Sequence, residues 1–189
     1  IVSAVAVERD DVPRARVEAV VAAKPLADGA AEVREERAAV LGVVLVIADR
    51  WQNPQPATGP SHHGGSLAFA PDGTLFIATG EETQSQWSQD MSSARGKILR
   101  INRDGTVPID NPFSDTPGYE PRIFAAGFRN PFRISVDPSD GALYVGDVGF
   151  FTWEEIDRVG PATNGGWPGM EGPQCYTSDC SGYLEPVWA

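Results

Sequence analysis

Lysine is almost missing from this chain: Lys24 and Lys97 are the only two in 189 residues, and the formal net charge is −11. A surface that neutralises phosphate needs clustered lysine and arginine, so the balance argues against nucleic acid or an anionic membrane as partner. Long apolar runs are also lacking. The longest, residues 38–48 ("AAVLGVVLVIA"), falls well short of the ~20 residues a helix needs to cross a bilayer, and no membrane span is expected. Cysteine is scarce, with Cys175 and Cys180 alone, inside "GPQCYTSDCSG". That Gly/Pro/Ser-rich stretch closes a short disulfide loop readily; free thiols are the alternative, and a metal site would want further Cys or His nearby. Histidine is limited to an adjacent pair, His62 and His63.

Aromatic residues are absent from residues 1–50, which also hold only Pro13 and Pro25 among the prolines, whereas everything after Trp51 is rich in aromatics, Gly and Pro. The shift divides the chain into a segment 1–60 and a segment 61–189. In the first, "AAEVREERAAVL" reads as helix on propensity, while "VSAVAVE", "RVEAVVAA" and "GVVLVIAD" read as β-branched strands, and both readings stay open. From residue 61, short β-type runs alternate with turn chemistry. Asp-Gly at 72–73, 104–105 and 140–141 lies between apolar runs and predicts three hairpins. Asp104, Asp110, Asp137 and Asp140 read as turn residues that cap their own backbone. "LAFAPDGTLFIATG" and "ISVDPSDGALYVGD" repeat one order of strand, turn and strand. The pattern predicts an all-β repeat, a β-propeller of which this chain supplies about three blades' worth. Either the chain is part of a longer one, or another chain contributes the rest of the ring.

The order "HHGGSLAFAPDGTLFIATGE", "GKILRINRDGTVPIDNPF", "IFAAGFRNPFRISVDP", "LYVGDVGFFTWEEIDRV" and "NGGWPGMEG" resembles the soluble glucose/sorbosone dehydrogenases, quinoproteins built as six-bladed β-propellers. The resemblance spans residues 61–188. It implies oxidation of an aldose at the anomeric hydroxyl to the lactone, with hydride passing to pyrroloquinoline quinone (PQQ) and on to an electron acceptor. His62 matches the family's general base, a role suited to imidazole near neutral pH, and His63 falls in a variable position. Glu81 matches an acidic position, more often Asp in the family, that would hold the imidazole. Arg129 and Asn130 of "GFRNP" match residues that face the active site, where a guanidinium beside the quinone would stabilise developing negative charge. Gln86 matches a glutamine contacting sugar or cofactor. Gly149 and Phe150 match a loop whose carbonyls hold calcium, and Glu154 and Glu155 fall where acidic residues support it, although the family often has Gln-Asn in place of Phe150-Phe151. Arg133 reads as an ordinary strand or loop arginine, and Trp167 as packing.

PQQ carries three carboxylates, and Arg129 is the one well-placed cation in this span. The isolated 189 residues are therefore expected to turn over no substrate. A disulfide together with this family points to the periplasm or the extracellular space. The rival reading is a non-catalytic calcium-binding propeller that recognises another protein, as in the related Hedgehog-interacting ectodomains.

Overall fold

The computed structural model describes residues 61–189, so the expectations for 1–60 lie outside the described residues. From residue 61 the chain is almost entirely strand and turn. Strands β1 (Gly64–Phe69), β2 (Leu75–Thr79), β3 (Lys97–Ile101) and β4 (Ile123–Ala126) form an antiparallel sheet in chain order. A second antiparallel sheet runs β5 (Pro131–Val136), β6 (Leu143–Asp147), β7 (Glu155–Val159). Residues 187 and 188 lie along the outer side of β7, with Ile156 exchanging backbone bonds with Val187 and Trp188. A short pair, β8 (Met170–Glu171) and β9 (Gln174–Cys175), and one helical turn, α1 (Gln86–Gln89), complete the described elements.

β2 and β3 are buried along their whole length, which is why "LFIAT" reads as a nearly continuous apolar run rather than an alternation, while in "KILRI" the buried Lys97 and Arg100 are satisfied by hydrogen bonds. One face of β2, Phe76 and Ala78, joins Ile98, Phe124, Phe128, Leu143, Val145 and Val159 in a core shared by the two sheets. Phe76 and Phe124 meet edge to face at 4.9 Å. The opposite face, Leu75 and Ile77, packs with Leu99, Ile101 and Ile123 beneath Met91 and Phe113. The two sheets thus stack as successive blades.

The turn chemistry holds in two of the three expected hairpins. Asp72 accepts the Thr74 N–H at 2.9 Å between β1 and β2, and Asp140 accepts the Ala142 N–H at 2.9 Å between β5 and β6, where Asp137 also accepts from Ser139. The third hairpin does not form. Asp104 does close a turn, accepting the Thr106 N–H at 3.0 Å, but no strand comes directly after it. Pro108 has no N–H to give a ladder, and the Arg100 N–H bonds Arg122 at 2.8 Å, so the chain crosses residues 107–122 before pairing as β4. Asp110 is likewise not a self-capping residue, because it receives the Arg100 guanidinium at 3.0 Å.

Lys97 is fully buried at the start of β3. Its ammonium donates to the carbonyls of Trp87, Ser88 and Arg95 at 2.7, 3.0 and 2.7 Å, tying α1 to the sheet, and burial lowers its pKa to about 7. Cys175 and Cys180 are joined in a disulfide. No helix among the described residues is long and apolar enough to cross a membrane.

Candidate active site

Antiparallel pairing gathers the motif residues at one end of the two sheets. Gly64 at the start of β1 pairs with Thr79 at the end of β2, and Pro131, Asp147 and Glu155 align across β5, β6 and β7. The residues just beyond these ends, His62, Glu81, Arg129, Asn130 and Gly149, therefore converge although they are far apart in sequence. Two bonds stitch the blades there: the Glu81 N–H donates to the Arg129 carbonyl at 2.9 Å, and the Gly64 N–H to Asn130 Oδ1 at 3.1 Å.

His62 Nδ1 lies 2.5 Å from Glu81 Oε1. Glu81 is 2% exposed, and its other oxygen, Oε2, is buried with no partner. A carboxylate can only accept, so the proton in this bond belongs on Nδ1 and the Nε2 lone pair is left toward the cavity. His62 takes a left-handed backbone with φ 63°, rare for a non-glycine residue, and its carbonyl accepts the Glu82 N–H at 3.1 Å. His63 is exposed.

Arg129 directs Nη1 at the carbonyls of Val148 and Gly149, at 3.0 and 2.7 Å, while its Nε is buried and unpartnered. Asp147 receives the backbone N–H groups of Arg129 and Asn130 at 2.8 and 2.6 Å and so sets the turn that presents the guanidinium. The rings of Phe150 and Trp167 stand 5.2 and 5.5 Å from the guanidinium carbon. Trp167 is therefore not simple packing. Its backbone is held by Gly127 and by Gln89 Nε2 at 2.7 Å, which leaves the indole facing the site with Nε1 buried and unpartnered.

His62, Glu81, Arg129, Phe150 and Trp167 wall a cavity of about 500 Å³ with Thr83, Ser85, Phe151, Pro168 and Tyr176; Asn130, expected to contact the cofactor, is not in that wall, its Oδ1 being taken by the Gly64 N–H. Gln86 is not in that wall: it opens α1 and its amide donates to Gln84 at 3.2 Å. Arg133 lies away from the cavity, with Nη1 on the Phe132 carbonyl. Trp167, Tyr176 and Glu171 are the site groups that reading the sequence missed. Trp167 and Glu171 sit in the matched "NGGWPGMEG" stretch and Tyr176 in the cysteine loop, but no spacing tied any of them to His62 or Arg129.

Beside the cavity, Asp147, Glu155 and Asp157 share the β6–β7 ladder. Burial foremost, and for Glu155 and Asp157 the neighbouring negative charges, push their pKa values up, Asp147 to about 7 and Glu155 to about 8. Across about pH 4 to 8 the folded chain then holds protons that the unfolded chain has released, so stability falls as pH rises through this window and returns on acidification. Asp157 Oδ2 is buried and unpartnered. Asp157→Asn is expected to stabilise the fold by roughly 2–3 kcal/mol more at pH 8 than at pH 5, measured by urea unfolding at the two pH values. Equal effects at both would contradict the assignment.

The donors fit a flat, aromatic polyanion better than they fit calcium. Two buried N–H groups, Arg129 Nε and Trp167 Nε1, lack partners, and aromatic faces line the cavity beside them. Of the expected calcium oxygens, the Gly149 carbonyl is engaged by Arg129, and exposed Glu154 accepts the Gly149 N–H at 3.3 Å. The protein oxygens left over are few, so waters or the bound cofactor would have to supply most of the six to eight oxygens calcium takes. Among the described residues no group of three His, Cys, Asp or Glu could hold a metal.

Fold and site together define a blade pair of an all-β propeller with a histidine–carboxylate pair and an arginine at one end. The family profile of glucose/sorbosone dehydrogenases matches residues 27–184, and the chain belongs to that family. It is 38% identical over 117 residues to the aldose sugar dehydrogenase YliI of Escherichia coli, a match covering 62% of this chain and 31% of that protein. It is 34% identical over 142 residues to the HIPL1 protein of Arabidopsis thaliana, covering 64% and 20%. The apo-form crystal structure of the E. coli soluble aldose sugar dehydrogenase superposes with a TM-score of 0.64 at 34% identity, covering 72% of this chain and 42% of that one. The PQQ-bound aldose sugar dehydrogenase of Streptomyces coelicolor superposes at 0.59 and 37%, covering 68% and 36%. The chain spans less than half the length of each.

Proposed function

We propose that this chain carries the proton-accepting and hydride-directing wall of a PQQ-dependent aldose dehydrogenase. The observation that carries the reading is the His62–Glu81 pair facing the same cavity as Arg129. His62 Nε2 takes the proton of the anomeric hydroxyl, and Glu81 steadies the imidazolium that results. PQQ, when bound, supplies the quinone that receives the hydride and passes the electrons to an acceptor. Arg129 Nε and Trp167 Nε1 would hold its oxygens, and Arg129 stabilises negative charge as it develops. The Phe150, Phe151, Trp167 and Tyr176 rings offer faces for the flat cofactor and shed water from the site. No step is assigned to calcium. The disulfide supports a periplasmic or extracellular setting.

The test is to incubate the full-length protein with PQQ and follow dye reduction across several aldoses. Reduction with at least one is the expected result. Tight PQQ binding without reduction of dye by any aldose would remove the substrate, and no PQQ binding would favour a non-catalytic recognition module.

A further inference from the structure

Glu171 has no role among the motif residues of the site, yet it is 2% exposed and makes more bonds than any other carboxylate among the described residues. Its Oε1 accepts four consecutive backbone N–H groups, from Phe150, Phe151, Thr152 and Trp153, at 2.6, 2.7, 3.0 and 3.4 Å. Its Oε2 accepts the Tyr176 hydroxyl at 2.9 Å. Such a run of N–H groups around one oxygen is an anion nest, here filled from within the chain. Burial alone would raise this carboxyl, but the N–H groups of Thr152, Phe151 and Phe150 and the Tyr176 hydroxyl outweigh it and hold the pKa at about 2. Glu171 is thus a fixed anion throughout the physiological range.

The segment it holds is the one that touches Arg129. The Gly149 carbonyl accepts Arg129 Nη1, and the Phe150 ring leans on the guanidinium and lies 5.6 Å from Trp167. The fit is close: a Cβ on Gly149 would fall 1.5 Å from the Trp153 carbonyl and 3.0 Å from Glu171 Oε1. Tyr176 joins the same carboxylate to the cavity wall from the disulfide loop.

We propose that Glu171 is a positioning residue, which by fixing the Phe150–Trp153 backbone and Tyr176 aims the Arg129 guanidinium and the aromatic wall at the cofactor. The inference rests on the proposed PQQ function for its ligand, but its mechanical part does not. In Glu171→Ala four N–H groups lose their acceptor; in Glu171→Gln a neutral oxygen of the same shape remains, a weaker partner than a carboxylate.

The experiment uses the full-length protein and three readouts: amide exchange over residues 149–155 without cofactor, PQQ affinity by titration, and kcat with KM for the sugar at saturating PQQ. Exchange is expected to speed up at least tenfold in Glu171→Ala. PQQ affinity should fall about 100-fold in Ala and about tenfold in Gln, and kcat at saturating PQQ should fall in the same order because Arg129 is misaimed, while KM for the sugar stays within about threefold. Should Ala not fold, the graded loss in Gln decides. Wild-type exchange and affinity in Gln overturn the proposal, as does a loss confined to kcat. If no aldose is oxidised but exchange and affinity follow the order, the substrate reading fails and Glu171 stands. If wild type oxidises aldoses and the variants match it, Glu171 alone falls.

Discussion

His62→Ala is expected to lower kcat for aldose oxidation by at least about 100-fold, or about 2.7 kcal/mol of barrier, with PQQ affinity unchanged. The imidazole is the described group with a lone pair free toward the cavity and a buried carboxylate to steady its charged form. Arg129 has no acceptor capacity, and Ser85 and Thr83 are far weaker bases. Alanine leaves Glu81 without its partner as well, so the carboxylate cannot act through the missing ring. The check is single-turnover mixing of sugar with PQQ-loaded protein, which separates hydride transfer from reoxidation. A decay of cofactor signal as fast as wild type would remove His62 from the chemistry.

Gly80→Ala is expected to be nearly as damaging, through packing. A Cβ at position 80 would lie 1.9 Å from the His62 carbonyl oxygen and 2.4 Å from its carbon. Both are backbone atoms, so no side-chain rotation relieves the contact. The same His62 carbonyl accepts the Glu82 N–H, and the Gly80 carbonyl accepts the Gly96 N–H, which fixes both strands of the contact. The loss should be about 3 kcal/mol in denaturant unfolding, at the upper end for overpacking. In whatever protein stays folded, the His62–Glu81 pair is pushed apart, and turnover should drop with it. A variant that unfolds at the wild-type midpoint and turns over normally would show that the close approach is not needed.

The hairpins around Asp72-Gly73 and Asp140-Gly141 are legible in the chain because their turn residues and their strands are local. Asp104-Gly105 misleads for the same reason: the dipeptide makes its turn, but whether a strand pairs next depends on Arg122, which captures the Arg100 N–H across the intervening loop. Cys175 and Cys180 are close enough in sequence for the disulfide to be expected.

The sequence by itself determined which residue types are available: one histidine pair, an arginine-asparagine motif after an apolar strand, and glycines where backbones meet. Only the tertiary structure decided which of them face each other. His62 meets Glu81 and Arg129 because antiparallel register brings the starts of β1 and β5 to the ends of β2 and β6. Glu171 and Trp167 join them because a short hairpin and the α1 anchor fold back over that end, a placement set by hydrogen bonds between side chains and backbone groups far apart in the chain, Glu171 to Phe150 and Gln89 to Trp167, which local spacing does not encode.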